Sequence, residues 1–167
     1  MLVLGPMFAG KTRHLIEHTV RPGAVIRPRH DTRTSAWVAH DGTRPPPDVA
    51  ELRVNDFELL RLGLDECPVT IDEAQFFGPQ ALLTFLRHRR APTLVGALSG
   101  DYTGAAFPTI AAVLPLAQRV VYLRGTCAVC GYPSTHTKAV APLTSNVVVG
   151  GADLYVPVCA EHHRPTL

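Results

Sequence analysis

Lysine is nearly missing from this 167-residue chain. Of sixteen basic side chains, fourteen are arginine, and only Lys11 and Lys138 are lysine. Long apolar runs are missing as well. Nothing approaches the roughly 20 residues of a membrane-spanning helix, and no basic region precedes an apolar stretch at the N-terminus. Neither a membrane span nor a secretory leader is expected. Charge of one sign is also lacking: a net charge of +2 gives no strong push toward nucleic acid or a membrane surface. The four cysteines, Cys67, Cys127, Cys130 and Cys159, do not suit a disulfide framework. With a reducing cytoplasm as the expected location, paired cysteines more often mean metal. What is present is a globular composition, 46% apolar residues with a mean hydropathy of +0.11. That length and composition suit one core domain and a small appendage.

The strongest motif comes first. Gly5-Pro6-Met7-Phe8-Ala9-Gly10-Lys11-Thr12 is a G-x-x-x-x-G-K-T phosphate-binding loop, between an apolar run and a helical stretch. Its glycines let backbone N–H groups turn inward around phosphate oxygens, and the following helix offers its positive end. Lys11 reaches terminal phosphates as a compact charge, and the Thr12 hydroxyl is placed for Mg²⁺. One of the two lysines thus has a purpose. Lys138 reads equally well as an ordinary exposed charge.

Apolar strand candidates at Leu2–Leu4, Ala24–Arg27, Leu52–Val54, Val69–Ile71, Leu94–Leu98 and Val120–Leu123 alternate with helices. The helices are expected at Lys11–Val20, Asp56–Leu62, Gln80–Arg89 and Thr109–Leu116. Asn55 with Glu58 resembles a capping box. Three prolines make 44–48 a loop. This alternation predicts an α/β fold with a mostly parallel sheet. From Gly125 onward paired cysteines and β-branched runs replace helical periodicity, so a division into 1–125 and 126–167 is expected.

Val69-Thr70-Ile71-Asp72-Glu73 is an apolar strand ending in two acids. In a phosphate-loop fold, Asp72 would support Mg²⁺ and Glu73 would face the attacking nucleophile. Water as nucleophile makes an NTPase; a substrate hydroxyl makes a kinase with Glu73 as base. The competing reading is an acidic cap for the helix near Pro79.

Cys127-x2-Cys130, 28 intervening residues, then Cys159-x2-His162 gives two ligand pairs at metal spacing. Three local cysteines require a histidine as fourth ligand; His162 keeps the spacing and His163 is the reserve. Four protein ligands close the site, which means structural zinc. Such a zinc would pin both ends of the excursion 131–158.

Together these motifs resemble the type II thymidine kinases. The likeness is carried by the loop 5–12, by Asp72-Glu73-Ala74-Gln75-Phe76-Phe77 and by Gly150-Gly151-Ala152-Asp153-x-Tyr155. Asp31-Thr32-Arg33, His40-Asp41 and Val113-Leu114-Pro115-Leu116-Ala117 add to it. The resemblance implies a RecA-like phosphate-loop domain, a small zinc-binding domain with a substrate lasso, and a homotetramer. It implies ATP-dependent phosphorylation of thymidine, and of deoxyuridine, with dTTP as feedback inhibitor. Glu73 would be the base and Arg33 would offset charge on the transferring phosphoryl group. Phe107 and Tyr155 would hold the thymine ring, with Tyr102 on the neighbouring loop. Met7, Leu98 and Thr137 would line the base pocket, and lasso backbone around Val149 and Gly150 would read its edge. Ser99, the order Ala106-Phe107-Pro108, and Ala139 depart from the family pattern and bear on loop geometry. The alternative is a nucleic-acid-stimulated phosphate-loop ATPase with a zinc module. It is disfavoured because only Lys138 is basic between Cys127 and Cys159.

Overall fold

The computed structural model describes residues 1–140 and 150–164. Six strands form one parallel sheet: β1 (Leu2–Gly5), β2 (Gly23–Pro28), β3 (Val49–Val54), β4 (Val69–Ile71), β5 (Thr93–Leu98) and β6 (Val120–Tyr122). Their order is β3-β2-β4-β5-β1-β6. Parallel strands need crossover connections, and helices on both faces then bury the sheet twice. The alternation of side chains along each strand shows this directly. Leu2 and Leu4 of β1, Ile26 of β2, and Val95 and Ala97 of β5 belong to one apolar cluster. Val3, Val25 and Leu94 point the other way, into a second cluster with Leu15, Ile16 and Trp37.

The described residues form four α-helices: α1 (Lys11–His18), α2 (Asp56–Leu59), α3 (Pro79–Arg87) and α4 (Pro108–Val113). Helices α3 and α4 each begin one residue earlier than the apolar period suggests, on a proline. The first helical position needs no N–H donor, so proline fits there. Helix α1 stops two residues early. Thr19 is extended, its hydroxyl donating to the Leu15 carbonyl, and Pro22 follows closely. Pro115 likewise ends α4 and leaves a short 3₁₀ turn, Leu114–Leu116. The capping box at Asn55 is complete: Glu58 N–H donates to the Asn55 side chain, and Asn55 N–H to the Glu58 carboxylate.

After β6 the chain forms two antiparallel pairs, β7 (Gly125–Thr126) with β8 (Pro133–Ser134), and β9 (His136–Ala139) with β10 (Tyr155–Val158). A hydrogen bond ties this part to the phosphate loop, Met7 N–H to the Thr137 hydroxyl at 3.0 Å. Among the described residues no helix is long and apolar enough to cross a membrane.

Gly5 closes β1 where chains crowd. A Cβ added there would lie 2.7 Å from the Leu123 carbonyl oxygen and 3.2 Å from Ala9 Cβ. Neither backbone can retreat without opening the sheet. Gly5→Ala should therefore lower stability by about 1–3 kcal/mol, read as the denaturant midpoint; an unchanged midpoint would show that the crowding is relieved freely.

Candidate functional site

In open parallel sheets ligands bind beyond the carboxyl ends of the strands. Here β1, β4 and β5 end side by side, at Gly5, Ile71 and Leu98. A cavity of about 770 Å³ opens there, lined by the phosphate loop, Asp72, Glu73, Arg33, Trp37 and Leu98.

The loop turns on two residues of positive φ, Phe8 at 61° and Gly10 at 79°. Gly10 has no Cβ to pay for that conformation, whereas Phe8 does. The Phe8 ring meets His40 edge-on at 5.5 Å. Lys11 is buried, and its ammonium donates to the Pro6 carbonyl at 2.7 Å. Burial pushes its pKa down, partly offset by Glu73 and Asp72. Helix α1 is held on the sheet by Leu15, which lies over Gly96 so closely that a Cβ there would meet it at 2.4 Å.

Asp72 is 2% exposed. Burial, and then the Glu73 charge, push its pKa up. Three donors oppose this: the Thr12 hydroxyl and the Trp37 indole N–H, both at 2.9 Å from Oδ2, and Glu73 N–H at 2.9 Å from Oδ1. Thr12 and Asp72 together offer two oxygens suited to a hard cation such as Mg²⁺. The competing reading of the acidic pair fails here, since Gly78, not an acid, occupies the N-cap of α3.

Glu73 adopts left-handed backbone angles, φ 56° and ψ 39°. A non-glycine residue is held there only by its surroundings. Its carboxylate receives Arg33 Nη2 at 2.8 Å and Gln75 Nε2 at 2.6 Å. Gln75 in turn accepts the Leu98 N–H at 3.2 Å, tying the ends of β4 and β5 together. Arg33 also forks onto Asp31, at 2.7 Å and 3.1 Å. Behind Asp31 stands Arg27, 3% exposed, which bonds Glu51 at 2.8 Å and the Thr34 hydroxyl at 2.7 Å. Burial would lower the Arg33 pKa, but Asp31 and Glu73 raise it above the ordinary value. Burial would raise Asp31, but Arg33 and then Arg27 hold it below the usual carboxylate range.

Of the residues expected to contact the nucleoside, Met7 and Leu98 open onto the cavity. Phe107 and Tyr155 are buried with them in the larger apolar cluster, and Tyr102 packs against it. Thr137 is buried too, its hydroxyl engaged by Met7. Gly150 precedes a tight turn in which the Leu154 and Tyr155 N–H groups both donate to the Gly151 carbonyl. Val149 lies outside the described residues. Trp37 and Gln75 went unassigned by sequence reasoning. A buried indole must find an acceptor, which is a signal, but nothing in the chain order says that the acceptor is Asp72.

Cys127, Cys130, Cys159 and His162 bring their ligand atoms within 4.8 Å of one another. Cys130 and Cys159 sulfurs are 3.8 Å apart, and His162 Nδ1 is 3.8 Å from Cys127 and 3.1 Å from Cys159. A tetrahedral zinc with ~2.3 Å bonds to sulfur requires edges of about 3.8 Å, so the group fits. Burial would raise the Cys127 thiol, but backbone N–H groups of Cys159, Cys130 and Val129 bring it down to about 6. A thiolate is what the metal binds. His163 is not part of the group; its Nε2 meets the Tyr102 carbonyl at 2.8 Å.

The thymidine kinase family model matches residues 1–163. This chain belongs to the thymidine kinase family. A thymidine kinase of Thermococcus kodakarensis is 34% identical, covering 97% of this chain and 92% of its own. One from Pyrobaculum aerophilum is 32% identical, covering 98% and 97%, and one from Rhodothermus is 32% identical, covering 98% and 80%. The family match spans the phosphate loop, the acidic strand end and all four candidate metal ligands.

Two outcomes test this site. Asp31 has a depressed pKa, so its ionised form stabilises the fold above the ordinary carboxylate range and that contribution fades as pH falls through the lowered value. Asp31→Asn should cost on the order of 3 kcal/mol near pH 7, with the difference from wild type shrinking in acid; a pH-independent difference in urea unfolding would exclude the charge as its source. Elemental analysis should find one zinc per chain, and Cys127→Ser should lose it together with folding of the C-terminal part. Normal folding of that variant without metal would contradict a structural zinc.

Proposed function

We propose that this protein transfers the γ-phosphoryl group of ATP to the 5′-hydroxyl of thymidine, with deoxyuridine as a second acceptor. The observation that carries the reading is the position of Glu73. It lines one cavity together with the phosphate loop and Leu98, with Arg33 bonded to it. Glu73 takes the proton of the 5′-hydroxyl, the 5′-oxygen bonds to the γ-phosphorus, and the bond to the β-phosphate bridging oxygen breaks to release ADP. Lys11 leaves the Pro6 carbonyl for the β- and γ-phosphate oxygens. Arg33 exchanges Glu73 for the transferring group, while Asp31 keeps its fork and so its direction. Mg²⁺, when bound near Thr12 and Asp72, neutralises phosphate charge.

Residues 1–125 would hold the donor, and 126–167 would close over the base. Phe107 and Tyr155 would form the walls for the thymine ring, with Tyr102 and Thr137 behind the loop and Val149 and Gly150 reading the base edge. A cytoplasmic homotetramer inhibited by dTTP completes the reading, since dTTP would place its base in the acceptor site and its phosphates toward the loop. A nucleic-acid-stimulated ATPase is less well supported: Lys138, the one basic residue from Cys127 to Cys159, already donates to the His162 carbonyl at 3.3 Å.

A panel of nucleosides offered with ATP should show phosphate gained by thymidine. Glu73→Gln should reduce kcat by about 10²–10⁴ with ATP affinity kept within a few-fold. Rapid ATP hydrolysis in the absence of nucleoside would overturn the kinase reading.

A further inference from the structure

The loop between β5 and α4 is closed upon itself. The Asp101 carboxylate accepts Thr103 N–H at 2.9 Å, the Thr103 hydroxyl at 2.7 Å and Ala105 N–H at 3.0 Å. Asp101 N–H donates to the Ala105 carbonyl, and Gly104 N–H to that of Asp101. A loop bonded this way moves as one body, hinged at Leu98 on one side and Phe107 on the other. Those hinge residues are the base-pocket residues of the proposed function. Whatever holds the loop therefore holds the pocket.

His163 holds it. Its Nε2 lies 2.8 Å from the Tyr102 carbonyl oxygen. A carbonyl only accepts, so Nε2 carries the hydrogen and donates. The ring lies over the loop backbone so closely that a Cβ on Gly104 would be 3.1 Å from Cε1. Gly104 has φ +89°, so glycine is required there twice over. The other face of the His163 ring is stacked on His136 at 4.4 Å and 18°. His136 opens β9, whose next residue, Thr137, accepts the Met7 N–H. His163 directly follows the zinc-ligating His162, and its own N–H donates to the Cys159 carbonyl at 3.0 Å. The ring is thus clamped from the metal knuckle on one side and by β9 on the other.

We propose that His163 is a positioning residue that transmits the rigidity of the zinc knuckle to the acceptor loop, setting the position of Tyr102 and Phe107. It touches no reacting atom; it acts through the Tyr102 carbonyl. The inference rests on the thymidine-kinase reading for its kinetic consequence, and on geometry alone for its mechanical one. The 28-residue excursion and the acceptor loop then share one anchor.

His163→Phe keeps a flat ring against His136 and removes the donor, whereas His163→Gln keeps an N–H donor at similar reach. In His163→Phe the KM for thymidine should rise about tenfold, the effect of one hydrogen bond at most. The KM for ATP and kcat should stay within twofold, and zinc should remain one per chain. His163→Gln should recover most of the thymidine KM. An unchanged thymidine KM, or loss of zinc in His163→Phe, would overturn the proposal. Hydrogen exchange supplies a readout independent of the reaction: the Thr103 and Ala105 amides should exchange about tenfold faster in His163→Phe, and faster in chelated than in zinc-loaded wild type. Equal exchange in both comparisons would overturn the coupling. His163→Gln, which keeps the donor, should exchange within twofold of wild type, and exchange as fast as in His163→Phe would also overturn the proposal. If wild type fails to phosphorylate thymidine while exchange behaves as stated, the functional reading falls and the mechanical coupling stands.

Discussion

A carboxylate sealed from water stays charged only if donors replace the water, and Asp72 draws the site around it for that reason. Its three donors come from three places: the Thr12 hydroxyl from the end of the phosphate loop, the Trp37 indole from the loop after β2, and the N–H of Glu73. Trp37 itself is 1% exposed, and its backbone N–H is taken by Glu51. One buried charge therefore fixes the loop that carries Arg33 relative to the loop that carries Lys11. Removing water from the site also strengthens every other charge in it.

The same logic extends outward as an alternating chain, Glu51–Arg27–Asp31–Arg33–Glu73. Arg53 pairs with Glu51 at the outer end, and the end facing the cavity is Glu73. Pairs as buried as Arg27 and Asp31 add little net stability by themselves, since desolvation offsets attraction. What they provide is direction. The Asp31 fork keeps the guanidinium plane of Arg33 in place, and under the proposed function that would let Arg33 exchange Glu73 for the transferring phosphoryl group. Electrostatic preorganisation of this kind is the main demand of phosphoryl transfer.

Much of the fold was legible in order along the chain. All six strands of the sheet and all four helices fall where the apolar periods put them, because a doubly buried parallel strand is apolar on both sides and a covering helix is apolar on one. Prolines set the starts of α3 and α4, and Thr19 the end of α1; α2 and α3 also end earlier than the apolar periods suggest, at Leu59 and Arg87. Strand β3 was cut short because its outer residues, Val49 to Glu51, lie at a sheet edge and carry no continuous apolar run; pairing with β2 extends it. The phosphate loop, the acidic pair and the gathering of Cys127, Cys130, Cys159 and His162 were legible because each depends on spacing within a few residues. Gln75 between Glu73 and Leu98, and Trp37 on Asp72, were not.

The sequence by itself determined the parts whose chemistry is local: a loop that must turn backbone N–H groups inward, acids at a strand tip, and cysteine pairs on tight knuckles. Only the tertiary structure decided how these parts address one another. Strand order places β5 beside β1 and β4 between β5 and β2, although 63 or more residues separate Gly5 from the first residues of β4 and β5. The pairing of β2 with β4 brings Arg33, on the loop after β2, to Glu73, and a hydrogen bond across 61 positions sets His163 on the loop of Tyr102. Hydrogen-bond partners distant in the chain are chosen by packing geometry, and no residue spacing encodes that choice.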